Sequence, residues 1–119
     1  MFDVAANGDH LWAIHEVLPL DTAITDPFTY MVENPYGPTT SAGRPHTCQV
    51  SFNIADKSVT WLVDGQIINR AFLAVMPEEV QLGLGLFTLR PIVDGKSRSL
   101  HGQGIAASWS NVRVEVQEG

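Results

Sequence analysis

The clearest pattern in the chain spans residues 47–70. Val50, Phe52 and Ile54 alternate with Gln49, Ser51 and Asn53. After the interruption Ala55-Asp56-Lys57-Ser58, Val59, Trp61 and Val63 alternate with Thr60, Leu62 and Asp64. Successive side chains of a strand point to opposite faces, so apolar/polar alternation bounded by turn residues marks half-buried antiparallel strands. Asp64-Gly65 reads as a tight hairpin turn, because Gly takes positive φ at no steric cost. An apolar run resumes at Gln66.

The same reading extends along the chain. Phe2–Ala6 is a first short strand, ended by the hairpin signal Asn7-Gly8-Asp9. Residues 10–18 follow, with Trp12, Ile14 and Glu16 on one face and Leu11, Ala13, His15 and Val17 on the other. Helical spacing of Leu11, Ile14, His15 and Leu18 is the rival, and the Asn-Gly before it and the β-branched and aromatic content favour strand. Residues 28–33 are rich in β formers. Residues 34–45 contain Pro35, Gly37, Pro38, Gly43 and Pro45 and form a long loop, a place where function or mobility concentrates. Val80, Leu82, Leu84 and Leu86 alternate with Gln81, Gly83, Gly85 and Phe87. The two glycines point to a close approach, with packing under Trp61 or Trp109 favoured over a ligand. A second long loop covers 91–103. A last strand, 105–116, slips phase at Ser110-Asn111, which suggests a bulge. The expected core is Val50, Phe52, Val59, Trp61, Val63, Leu82, Leu84, Leu86 and Trp109. The fold class is all-β, an antiparallel β-sandwich or jelly roll.

Composition narrows the function classes. A chain of 119 residues with 45% hydrophobic content is expected to be one globular domain, 1–119. A net charge of −6 opposes a nucleic-acid surface, which needs a Lys/Arg excess to displace counterions, and opposes docking on anionic lipid. No segment approaches the ~20 apolar residues of a membrane helix and no leader pattern opens the chain, so a cytoplasmic location is the default expectation. The single Cys48 reads as a small packed thiol. On a strand, His46 would point the same way roughly 7 Å from it, too far to activate it directly.

Candidate chemistry is sparse. Glu16 sits in an otherwise apolar strand, on a face with Trp12 and Ile14, where a carboxylate must be paired, solvated or shifted in pKa. A structural or solvent-edge Glu is the favoured reading of Glu16, with an acid/base role behind it; an enzyme reading places it in an apolar cleft with Tyr30 or a loop histidine in reach. Trp12, Tyr30, Trp61, Arg70, His101 and Gln103 are candidate ligand-binding residues, the first three as aromatic surface and the rest as polar groups at strand ends or in loops. His46 falls in the same loop class. The four histidines, 10, 15, 46 and 101, show no metal-binding spacing, and scattered Asp residues do not cluster as a calcium site. No phosphate loop, dinucleotide fingerprint or nucleophile elbow is present, so no cofactor and no metal are expected.

Val59-Thr60-Trp61-Leu62-Val63-Asp64-Gly65, the glycine-patterned Leu82-Gly83-Leu84-Gly85-Leu86 and the closing Ala107-Ser108-Trp109 together resemble the concanavalin A-like lectin/glucanase superfamily. More narrowly, His15-Glu16-Val17-Leu18-Pro19, Phe28-Thr29-Tyr30, Gly85-Leu86-Phe87-Thr88-Leu89 and His101-Gly102-Gln103-Gly104 are similar to the C-terminal half of an uncharacterised bacterial and fungal lectin-like family. The resemblance implies a concanavalin A-like sandwich, incomplete in this chain because relatives carry further strands ahead of it. The acidic strand motif of the superfamily's hydrolases is absent, so paired-carboxylate glycoside hydrolysis is unsupported. The leading functional expectation is a lectin-like module for a carbohydrate or small organic ligand. The alternatives are a cofactor-independent isomerase or cyclase using Glu16, and a structural subunit completing a hetero-oligomer. A homo- or hetero-oligomer is expected in any case, since missing strands leave edges and apolar surface open.

Overall fold

The computed structural model describes residues 1–87, 92–97 and 105–118. The chain divides into two compact units, Met1–Glu78 and Glu79–Gly119. The described residues are all-β, with no helix among them.

The first unit contains two antiparallel three-stranded sheets. One is ordered β1-β2-β3, from β1 (Phe2–Ala6), β2 (Leu11–Val17) and β3 (Phe28–Val32). The other is ordered β4-β5-β6, from β4 (Cys48–Asn53), β5 (Ser58–Val63) and β6 (Gln66–Phe72). The strand reading of residues 10–18 therefore holds over its helical rival. Registry sets the faces. Phe2 and Tyr30 flank His15, and Val4 and Val32 flank Ala13, while Asp3 and Met31 flank Ile14 on the reverse face. In the second sheet Val50 pairs with Trp61 and Phe52 with Val59.

These apolar faces meet in one core. Leu11 and Ala13 from the first sheet cluster with Val59, Trp61, Val63 and Ile68 from the second, and Phe2, Val4, Val50 and Phe52 pack at the margin. The arrangement is an incomplete β-sandwich, one buried layer between two small sheets. Trp61, Val59 and Val63 are wholly buried. A bulge in β6 opposite Trp61 and Leu62 shifts the register, and Ile68 lies in the core beside it. An extra residue on one strand re-aims its neighbours, which gives β6 a buried isoleucine where strict alternation would leave a gap.

Turn chemistry follows local sequence. Asp64 and Gly65 both adopt positive φ, 51° and 77°, the two-residue mirror-image turn that suits strand twist. Asn7-Gly8 behaves differently. Its hairpin loop is four residues long, since Ala6 pairs with Leu11, and Asn7 Oδ1 accepts hydrogen bonds from the Asp9 and His10 amides. The side chain, rather than a left-handed glycine, makes this turn.

In the second unit, β7 (Ile92–Val93) and β8 (Lys96–Ser97) form a minimal hairpin. Asp94 and Gly95 again take positive φ at its turn, within what the sequence presented as loop. The strands expected at 80–87 and 105–116 do not form: none of these residues joins a ladder among the described residues. Leu82, Leu84, Leu86 and Trp109 are 61%, 50%, 50% and 47% exposed, which corrects their assignment to the core. Within the second unit, a Cβ on Gly83 or Gly85 would meet open space. Alternation supplies an apolar edge to a strand, but burial needs a second layer and a ladder needs a neighbour. The phase slip does have a structural counterpart, because Asn111 takes a left-handed φ of 53°.

Candidate functional site

The inner face of β2 carries a histidine flanked by aromatic rings. His15 stacks on Phe2 at 4.8 Å and 17°, meets Phe28 edge-on at 4.9 Å and lies 6.3 Å from the Trp61 ring. Strand pairing brings these rings together, because Phe2 and Tyr30 are the cross-strand partners of His15. Cross-strand aromatic pairs of this kind also support the sheet. Burial holds the imidazole pKa below the ordinary value of 6.5, since desolvation disfavours the charged ring. The ring is therefore neutral at neutral pH, offering one donor and one acceptor. No hydrogen bond to a described residue occupies it.

Beside His15 opens a cleft of about 450 Å³. Val17, Phe28 and Tyr30 form one wall and Ala71, Phe72, Leu73, Ala74 and Val75 the other. The second wall is the end of β6 and the segment after it, held by the Leu73 amide donating to the Lys57 carbonyl at 2.7 Å. The lining is mostly apolar with two polar handles, the His15 imidazole and the Tyr30 hydroxyl. An apolar concavity with few oriented polar groups is the ordinary form of a small-molecule site.

The candidate residues distribute unevenly around this cleft. Tyr30 lines it. Glu16 does not: it lies on the reverse face of β2, where its carboxylate accepts a 2.8 Å hydrogen bond from the Thr29 hydroxyl. The expected apolar cleft with Tyr30 therefore forms without Glu16, because Tyr30 pairs with His15 and Glu16 with Thr29. Trp12 shares the reverse face and stacks on His10 at 5.6 Å. Trp61 is a fully buried core residue, which corrects its place among ligand-contacting aromatics. Its Nε1 is buried without a hydrogen-bond partner among the described residues. Arg70 donates to Asp56 at 2.6 Å and to the Ser58 hydroxyl, with its guanidinium over Phe72. Phe72 in turn forms part of the cleft wall. His101 and Gln103 lie outside the described residues.

Cys48 is exposed rather than packed. Although the residue is exposed, neighbouring atoms partly desolvate the thiol, and this and the Asp64 charge raise its pKa, which disfavours the thiolate. No group of three or more His, Cys, Asp or Glu side chains among the described residues has metal-holding geometry. His10 is exposed, and its hydrogen bond with Glu33 raises its pKa.

The alternation places His15 on the core-facing side of β2 but does not single it out as a polar centre, because its aromatic neighbours Phe2 and Phe28 come from two other strands. The usable signal was a lone histidine on the core-facing side of an aromatic-rich strand.

A family model described as a family of unknown function (DUF6081) matches residues 1–118, and the chain belongs to that family. No curated protein and no solved structure matches the chain.

Proposed function

We propose that the first unit is a binding module for a small ring-shaped organic ligand, held in the cleft against Phe28, Tyr30 and Phe72 and oriented by His15. The observation that carries this reading is the His15 imidazole, stacked on Phe2 and without a hydrogen-bond partner among the described residues, at the margin of an apolar aromatic cleft. Aromatic walls favour a flat or weakly polar face, and one donor and one acceptor on the imidazole fix its orientation. A sugar presents such a face through its axial C–H groups, and a planar aromatic presents it outright. The lectin-like, concanavalin A-related ancestry suggested by the sequence motifs favours the sugar, and the mostly apolar lining favours the aromatic.

Calorimetric titration with indole and, separately, methyl β-glucoside tests the reading and chooses between the two. Saturable binding of either that is lost in Tyr30→Ala and weakened at least about tenfold in His15→Phe supports it. Absence of binding to both probes, or binding indifferent to both substitutions, contradicts it.

A second reading is favoured by a separate observation. Residues 80–87 and 105–118 combine strand-like alternation with exposed Leu82, Leu84, Val112, Val114 and Val116 and join no ladder among the described residues, and strand-forming segments without a neighbour pair with other chains. We accordingly propose self- or hetero-association through the second unit. Sedimentation over a hundredfold concentration range should show a mass that rises above the monomer, and a constant monomer mass contradicts self-association.

A further inference from the structure

We propose that Thr40, His46 and Asp64 form an acyl-transfer site, with the Thr40 hydroxyl as nucleophile, His46 as its base and Asp64 as the positioning carboxylate. Three side chains, two from the segment between β3 and β4 and one from the turn between β5 and β6, join in one hydrogen-bonded chain. Asp64 Oδ2 lies 2.7 Å from His46 Nδ1, and His46 Nε2 lies 2.9 Å from Thr40 Oγ1. The carboxylate requires a proton on Nδ1, which leaves Nε2 as the acceptor for the hydroxyl proton. A hydroxyl, imidazole and carboxylate joined in this order are the arrangement that activates an alcohol for acyl transfer.

Local structure fixes each member. Asp64 sits in the left-handed turn after β5, where its other oxygen accepts the Thr47 amide at 2.9 Å. The carboxylate is thus aimed from two directions. His46 is shielded, its side chain 8% exposed. Thr40 comes from the loop 34–45, which folds back on the second sheet; a Cβ on Gly37 would lie 3.5 Å from the Ile68 side chain. Arg44 donates to Thr39 Oγ1 at 3.3 Å, which ties the two limbs of the loop together. The hydrogen bonds from His46 and the Thr47 amide also hold the Asp64 carboxyl below its ordinary pKa, which keeps it ionised to orient the imidazole. The site lies at the start of β6, while the ligand cleft lies at its end, so the inference is independent of the binding reading.

The substrate class is a small carboxylic ester with a good leaving group. Thr40 Oγ1 attacks the carbonyl carbon while its proton passes to His46 Nε2. The intermediate expels the alkoxide, which takes that proton, leaving acyl-Thr40. Water then attacks with His46 again as base, and the carboxylic acid leaves as the proton returns to Thr40. Simple anchoring of the loop by His46 would need the same hydrogen bonds but would have no turnover.

The test is hydrolysis of p-nitrophenyl acetate by the full chain, with an equal concentration of N-acetylhistidine as the control for imidazole attack. The expected result is turnover at least about a hundredfold above that control, with acetyl found on Thr40 by peptide mass spectrometry after acid quench. Thr40→Val, close in shape but without the hydroxyl, should fall to the control rate, and Thr40→Ser should retain activity. Asp64→Asn should lower kcat and displace the pH profile with little change in KM, a split that a loop anchor alone would not produce. Wild-type turnover no faster than the control overturns the proposal without recourse to any variant. Turnover that survives Thr40→Val in a folded protein, or acetyl found on His46 and not on Thr40, overturns it as well.

Discussion

Residues 58–63 and 80–87 carry the same binary pattern and meet opposite fates. In β5, Val59, Trp61 and Val63 are wholly buried, while Leu82, Leu84 and Leu86 are each at least half exposed. The difference lies in the surroundings of each segment. β5 is the central strand of its sheet, with β4 and β6 bonded on either side and a second apolar face from β1 and β2 packed across it. Residues 80–87 have no bonded neighbour among the described residues. Alternation encodes a one-sided apolar strand, and a strand becomes core only when a partner closes its face.

Mutational energetics should reproduce that contrast. Trp61→Ala should cost about 3–5 kcal/mol in urea denaturation, the range for truncating a buried aromatic. Leu84→Ala in the same protein should change stability by no more than about 0.5 kcal/mol, as a surface substitution does. A loss above about 2 kcal/mol at Leu84 would mean that residues 80–87 have a partner in solution, and the concentration dependence of that loss would show whether the partner is another copy.

Glycine substitutions sharpen the comparison with a smaller effect. Gly65 has φ 77° in the turn that joins β5 to β6, so Gly65→Ala should cost about 1 kcal/mol or more. Gly83 has open space around its Cα and no positive φ, so Gly83→Ala should be neutral or slightly stabilising. Equal losses at the two positions would remove the distinction between an ordered turn and an unpartnered segment.

The pH dependence of stability isolates His15. Its folded-state pKa lies below 6.5, so the unfolded chain binds the proton first as pH falls. Stability is then full above about pH 6.5 and declines on acidification until the folded ring also protonates. His10 acts in the opposite sense, because its raised folded pKa adds stability below 6.5 that is lost as pH rises through the raised value. The difference between wild type and His15→Gln removes the His10 contribution, and the wild type should show the steeper loss between pH 6.5 and 5. A His15→Gln profile parallel to wild type would place the imidazole in solvent.

A small effect is also expected at Arg70. Its pair with Asp56 is half exposed on both sides, and such pairs contribute about 0.2–1 kcal/mol. Arg70→Met should fall in that range and respond to added salt.

Strand positions in the first unit and the faces of β2 are legible because they depend on local period and on turn residues such as Asp64-Gly65. The cleft was only partly legible. Tyr30 stood out by type, whereas the enclosure of His15 depends on pairing with Phe2 and Tyr30 across two ladders, information that a single strand does not carry. Trp61 looked equally fit to bind or to be buried, and only the second sheet decides. Glu16 drew attention as a carboxylate in an apolar strand, and registry with Thr29 satisfies it on the reverse face. The Thr40–His46–Asp64 line was invisible, because it needs the left-handed backbone of Asp64 and the return path of a proline- and glycine-rich loop.

A small ring bound in the cleft beside His15, as proposed, would report on the side chains that line it. The most direct test is a proton–carbon NMR titration of the aromatic and histidine side chains with indole. The expected result is a set of saturable shifts confined to His15, Phe28, Tyr30 and Phe72, with His10, His46 and Trp12 unmoved. Shifts centred on Trp12 and His10, or no saturable shift at His15, would contradict it.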